Sequence, residues 1–138
     1  MTKTTNYQLN QWAKSDRIMM DDFNADNQKI DAALAGGAKI ATGSYTGTGK
    51  YGASHPNTLT FDFAPKFIYV YRSGSYLTYA FPAVAGQGTS VVYHQVGEFD
   101  NKVINLSWNG NSVSWYCTAD VYCQLNNSGS TYCYFAIG

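Results

Sequence analysis

Few residues in this 138-residue chain have the types and spacing that chemistry needs. Glycoside hydrolysis requires two carboxylates roughly 5 to 9.5 Å apart across a cleft. Beyond residue 38 the acids are Asp62, Glu98, Asp100 and Asp120 alone. Glu98 and Asp100 share a face if GEFD is extended, but GEFD sits between two strand-like runs and reads as a solvated loop. His55 precedes Pro56, and His94 falls within a strand-like run. Neither has a nucleophile motif such as G-x-S-x-G beside it, so His94 reads as a sheet-surface or interface residue rather than a general base. TGTGKYG carries glycines and a lysine, yet it lacks the G-x-x-x-x-G-K-[ST] spacing and no helical pattern follows it. Cys117, Cys123 and Cys133 have no histidine close by and fit no zinc pattern. They read as small buried hydrophobes in a protein made in a reducing cytosol, with a Cys123–Cys133 bridge across a hairpin as the alternative. The expectation is no catalytic residue, no metal and no cofactor.

Binding chemistry is better represented. Aromatic faces pack on the apolar C–H side of a sugar ring, while arginine, asparagine and hydroxyls read its polar edge. YRSGSYLTYAF places Tyr71, Arg72, Tyr76 and Tyr79 around a Ser-Gly-Ser turn, and SWNGNS places Trp108 and Asn109 at a hairpin tip. Loops hung on a rigid scaffold are where binding usually resides. The expected ligand-binding set is therefore Arg72, Tyr76, Tyr79, Trp108 and Asn109, contributed by two loops of one chain or of neighbouring subunits. The competing reading is that strand alternation turns Tyr71 and Trp108 into the core.

Composition limits the partners. Nine basic and nine acidic residues cancel, which removes a long-range pull on nucleic acid or an anionic membrane. Charged residues are 13% of the chain against about 25% in ordinary domains. Twelve tyrosines contribute to an aromatic content of 16%. A surface so short of charge is made of Tyr, Ser, Thr, Asn and Gly, a palette suited to polar-aromatic recognition; the plainer reading of the tyrosines is strand preference. No apolar run is long enough to span a bilayer, and no apolar segment of signal-peptide type opens the chain, so neither membrane insertion nor classical secretion is expected.

Two kinds of pattern must position these residues. Residues 20–35 read as a helix, with Asp21 or Asp22 to cap its start and Gly36-Gly37 to end it. Phe23, Ile30 and Leu34 fall at i, i+7 and i+11, with Asn27 on the same stripe. So thin a stripe is marginal alone in water. It needs a partner, either its own domain or copies of itself, and Asn27 on the seam suits a short bundle whose register it would fix. Tyr7, Leu9 and Trp12 upstream read as an irregular or extended arm. From Lys39 the period changes to two: KIATGSY, TLTFDF, KFIYVYR, SYLTYAF, TSVVYHQV, KVINLSW, SVSWYC, ADVYCQLN and TYCYFAIG are β-branched and aromatic runs bounded by turn residues. Residues 108–111 and 126–129 read as hairpin turns, and Pro56 and Pro65 bracket one strand. The fold expected is mainly β, an antiparallel β-sandwich over residues 39–138, preceded by a segment of residues 1–38 with a short α-helix.

The stretch NYQLNQWAKSDRIMMDDFNADNQKIDAAL resembles the N-terminal segment of tail-fibre and receptor-binding proteins from phages and prophages of Gram-positive gut bacteria. Asn6-Tyr7, Leu9-Asn10, Trp12, Asp21-Asp22-Phe23-Asn24 and Lys29-Ile30-Asp31 carry the resemblance. GSYTGTGKYG, PNTLTFDFAPKFIYV, VSWY and QLNNSGSTYCYFAIG look like stretches of the tip domains of such fibres. More loosely, the second part is similar to H-type lectin sandwiches, an analogy of fold. The resemblance implies a homotrimer joined to other tail proteins through its N-terminal segment. It also implies a virion-tail location, assembly in the host cytoplasm, and adhesion to a bacterial surface carbohydrate. A fibre tip or collar without ligand, and a glycan hydrolase, are the alternatives.

Overall fold

The computed structural model describes residues 1–74, 79–94 and 102–138, with His94 described in its backbone alone. The chain divides into two compact units, Met1–Ala38 and Lys39–Gly138.

In the first unit, strands β1 (Thr2–Lys3) and β2 (Asn10–Gln11) pair as a small antiparallel hairpin, followed by helix α1 (Met20–Ala35). The arm read as irregular or extended thus contains two short extended strands, paired as a hairpin. The Asn10 N–H donates to the Asp26 carboxylate at 2.9 Å, the Asn10 side-chain amide donates to the Asp22 carbonyl, and the Lys29 ammonium donates to the Gln8 carbonyl at 2.6 Å. The other Asp26 oxygen is buried with no hydrogen bond among the described residues, its charge faced by the Lys29 ammonium at 3.5 Å. Polar side chains in the resembling stretch therefore tie hairpin to helix. Asp21 and Asp22 do not cap α1. Met19 is the N-cap, with no side-chain hydrogen bond, because the helix starts early enough to place both carboxylates inside its first turn. There they complement the helix dipole instead. Gly36 ends α1, its N–H donating to the Ala32 carbonyl. No residue of α1 is buried: Phe23, Asn27, Ile30 and Leu34 are all exposed, Leu34 by 77%.

The second unit is one eight-stranded antiparallel sheet curled into a half-barrel. Its strands are β3 (Ile40–Thr46), β4 (Asn57–Thr60), β5 (Phe67–Arg72), β6 (Tyr79–Val84), β7 (Thr89–His94), β8 (Lys102–Asn109), β9 (Ser112–Tyr116) and β10 (Thr131–Ile137). They lie in the order β3-β10-β5-β6-β7-β8-β9-β4. The mainly-β, antiparallel fold with one preceding helix is the one the alternation predicts. Its two sandwich layers are halves of a single sheet. They join where β6 and β7 share, among the described residues, the pairs Tyr79↔His94 and Ala80↔Tyr93.

Inward residues of both halves make one core. Ile68, Val70, Phe81, Tyr132 and Ala136 from one half meet Ile104, Leu106, Val113 and Trp115 from the other. Phe81 packs edge-on to Trp115 with centroids 5.3 Å apart. Burying side chains of this size contributes about 1.5 to 3 kcal/mol each, so this core holds the curl. The β8–β9 hairpin turns through Gly110 at φ 56°.

One expected strand is absent. ADVYCQLN forms turns between β9 and β10, with the Asn126 N–H donating to the Val121 carbonyl and Leu125 at φ 56°. Cys117 and Cys123 are bridged there by a disulfide, leaving Cys133 free. The reading of all three cysteines as plain hydrophobes is corrected, as is a Cys123–Cys133 bridge. Cys117 and Cys123 are buried, but the turns bring their Cα atoms to 5.9 Å, within bridging distance. Removing this bridge should cost about 2 kcal/mol through loop-closure entropy for so short a loop. Thermal unfolding with and without reductant should then differ by roughly 10 °C. An unchanged Tm would show that the bridge does not form.

Candidate functional site

Strands β3 and β4 are the two edges of the curled sheet, and the seam between them is where the molecule is open. At one end aromatic rings close it: Phe61 meets Tyr134 edge-on at 5.9 Å and stacks on Phe63 at 5.6 Å. At the other end lies a cleft of about 370 Å³, within the range that holds small ligands. Tyr45 and Thr46 of β3, residues of the β3–β4 connection, Asn57 to Leu59 of β4, and Trp115 line it.

The connection is the glycine-punctuated TGTGKYG, and glycine is required where it meets the turns after β9. A side chain at Gly47 would put its Cβ 2.1 Å from the Asn127 carbonyl oxygen. Gly47 is instead paired at both its groups. Its N–H donates to the Ser130 carbonyl at 2.8 Å and its carbonyl accepts from Gly129 at 3.1 Å.

Two buried polar side chains then fix the connection. Gln124 is fully buried. Its Oε1 accepts from the Gly52 N–H at 2.8 Å and the Cys117 N–H at 3.1 Å; its Nε2 donates to the His55 carbonyl at 2.7 Å and to Asn57 Oδ1 at 3.3 Å. Asn126 is 4% exposed. Its amide donates to Thr48 Oγ1 and the Lys50 carbonyl, both at 2.8 Å, while its Oδ1 accepts from the Thr48 N–H at 3.0 Å. The Tyr45 hydroxyl donates to the Leu125 carbonyl at 2.7 Å and accepts from Asn57, and burial pushes its pKa far above the ordinary phenol value. Trp115 beneath donates its indole N–H to the Gln124 carbonyl at 2.9 Å. Such fully satisfied networks make a loop a rigid part of the core. The cleft is therefore pre-formed.

Within one chain, the described residues expected to bind ligand, Arg72, Tyr79, Trp108 and Asn109, lie at two separate ends of the sheet. Arg72 ends β5 and Tyr79 begins β6, so they share one end of the sheet. There Tyr79 stacks on Tyr122 at 5.7 Å, and Lys102 is paired with Asp120. Burial works against the Asp120 charge, but the Lys102 ammonium and the Cys123 N–H outweigh it and hold the carboxyl below its usual range. Trp108 and Asn109 lie at the opposite end, about 20 Å away along β8. Trp108 packs against the core and donates its indole N–H to the Gln87 carbonyl at 2.9 Å, whereas Tyr71 points outward and stacks on Tyr69. Tyr76, Glu98 and Asp100 lie outside the described residues, and for His94 only the backbone pairing with Tyr79 is described. Asp62 is exposed after β4, and Asp120 is occupied by Lys102.

Among the cleft residues, Tyr45, Asn57 and Asn126 carry no sequence signal of binding, while Thr48 and Lys50 lie in TGTGKYG, which the sequence offers only as a phosphate loop of the wrong spacing. The available signal was Gln124 and Asn126 in QLNN, amides inside an apolar-aromatic run, which make sense buried only if they bond a distant loop. No family model matches the chain. Nor does any curated protein or any solved structure.

Proposed function

We propose that this chain is a tail-fibre-type adhesin that binds a bacterial cell-surface glycan from the virion tail, without catalysis, metal or cofactor. The observation that carries the reading is the seam cleft. Tyr45, Pro56, Leu59 and Trp115 line it beside polar residues, a buried amide network fixes the β3–β4 connection, and no carboxylate lines it among the described residues. Pre-organised loops bind at lower entropic cost, which suits reading a sugar ring.

Assembly belongs to the same proposal. In a homotrimer, Phe23, Ile30 and Leu34 would leave water together and Asn27 would set their register, while the N-terminal unit joins other tail proteins. The full chain should then show three times its 15.2 kDa by light scattering. The double substitution Ile30→Asp and Leu34→Asp should reduce it to one. A wild-type monomer would remove the trimer.

A labelled-protein pull-down on whole Gram-positive cells and on purified wall polysaccharide tests the adhesin. Retention without shortening of the polysaccharide supports it. Binding to neither leaves a structural fibre tip or collar, and release of shortened chains would make the protein a hydrolase.

A further inference from the structure

Four acceptors of the seam cleft already receive protein donors: the Lys50 carbonyl takes the Asn126 amide, the His55 carbonyl and Asn57 Oδ1 take the Gln124 amide, and Asn126 Oδ1 takes the Thr48 N–H. The donors are less occupied. Thr48 Oγ1 accepts from Asn126 at 2.8 Å and from the Lys50 N–H at 3.4 Å, which leaves its own proton without an acceptor among the described residues. The Lys50 ammonium makes no ion pair or hydrogen bond among the described residues, and no Asp or Glu lines the cleft. Around Thr48 and Lys50, a hydroxyl proton and an ammonium without partners among the described residues, beside four acceptors already engaged, favour a ligand that supplies acceptors and negative charge.

From this we infer that the seam cleft takes a saccharide unit bearing a carboxylate or a phosphate. The anion meets Lys50 and Thr48, and the sugar's C–H face lies toward Tyr45, Pro56 and Leu59. The inference rests on the adhesin reading and names its ligand class. One lysine and a cleft of about 370 Å³ fit a single charged sugar, not a nucleic-acid backbone. A cationic ligand would meet the Lys50 charge with nothing to offset it.

The test is amide NMR titration of the full chain with matched probes, glucuronate and glucose 6-phosphate against glucose. The expected result is that charged probes shift the Thr48, Gly49 and Gly52 amides with a Kd at least 10-fold lower than glucose. Lys50→Gln should bring the charged probes down to the level of glucose, and Thr48→Val should weaken them about 5-fold. Both side chains lie at the cleft rim, and retention of wild-type amide dispersion establishes that each variant folds. Whether glucuronate or glucose 6-phosphate is the stronger tells carboxylate from phosphate. Equal affinity for charged and neutral probes overturns the anion assignment, and silence of the cleft amides toward all three overturns the site. Whole-cell retention, measured on the same preparation, separates the readings. Retention with a silent cleft leaves the adhesin with its site elsewhere, and loss of retention removes the adhesin itself.

Discussion

Gln124→Ala is expected to lower the stability of the β unit by about 3 kcal/mol or more. The substitution leaves the buried Cys117 N–H without an acceptor, frees the Gly52 N–H and the His55 carbonyl, and opens a cavity beneath the cleft. A buried group stripped of its partner costs about 1 to 3 kcal/mol, and the half-exposed ones cost less because water reaches them. Against the 5 to 15 kcal/mol of a typical domain, that is a large loss. Gln124→Glu refines the test by pH. Its acid form keeps one donor and one acceptor in place, whereas its carboxylate loses the donor to His55 and buries a charge. Burial raises such a carboxyl's folded pKa above its unfolded value. Stability is then fully present below the unfolded pKa and is lost as pH rises through the folded one. Denaturant melts of Gln124→Glu near pH 4 and pH 8 should therefore diverge, with the wild type much less affected. Equal melts would show that Gln124 is not held as described.

Gly47→Ala is expected to be comparably damaging for a different reason. The added Cβ would sit 2.1 Å from the Asn127 carbonyl and 2.8 Å from two further backbone carbons, and backbone has no rotamer with which to yield. Either the Gly47–Ser130 and Gly129–Gly47 hydrogen bonds break or the turn after β9 moves, at about 3 kcal/mol. Gly110→Asn is the control. Nothing lies within 4 Å of its added Cβ, and asparagine tolerates the φ of 56°. Thermal melts should separate the two variants widely. A Gly47→Ala protein as stable as Gly110→Asn would mean that the β3–β4 connection does not approach Asn127.

Local pattern made most of the fold legible. α1 occupies the residues its periodicity marks, and β3, β5, β8 and β10 follow their alternating runs, because burial of every second residue leaves a direct imprint on composition. The misses share one cause. ADVYCQLN alternates as a strand does, yet Cys117 bonds Cys123 and Gln124 is buried among donors from residues 52 and 117. None of those partners is visible from the run itself. For Trp108 the sequence leaves a tip aromatic and a core residue both open, and its register on β8 packs it against the core.

What the sequence by itself determined is the periodicity: one helix with a thin apolar stripe, then antiparallel strands poor in charge. Tertiary structure alone decided the site, because strand order is a matter of long-range pairing. It set β3 and β4 at opposite edges, carried Arg72 and Trp108 to opposite ends, and brought Lys50 and Thr48 to Asn126, more than 70 residues away in the chain. Hydrogen bonds across such separations follow from the packing of the whole core, and no local pattern records them.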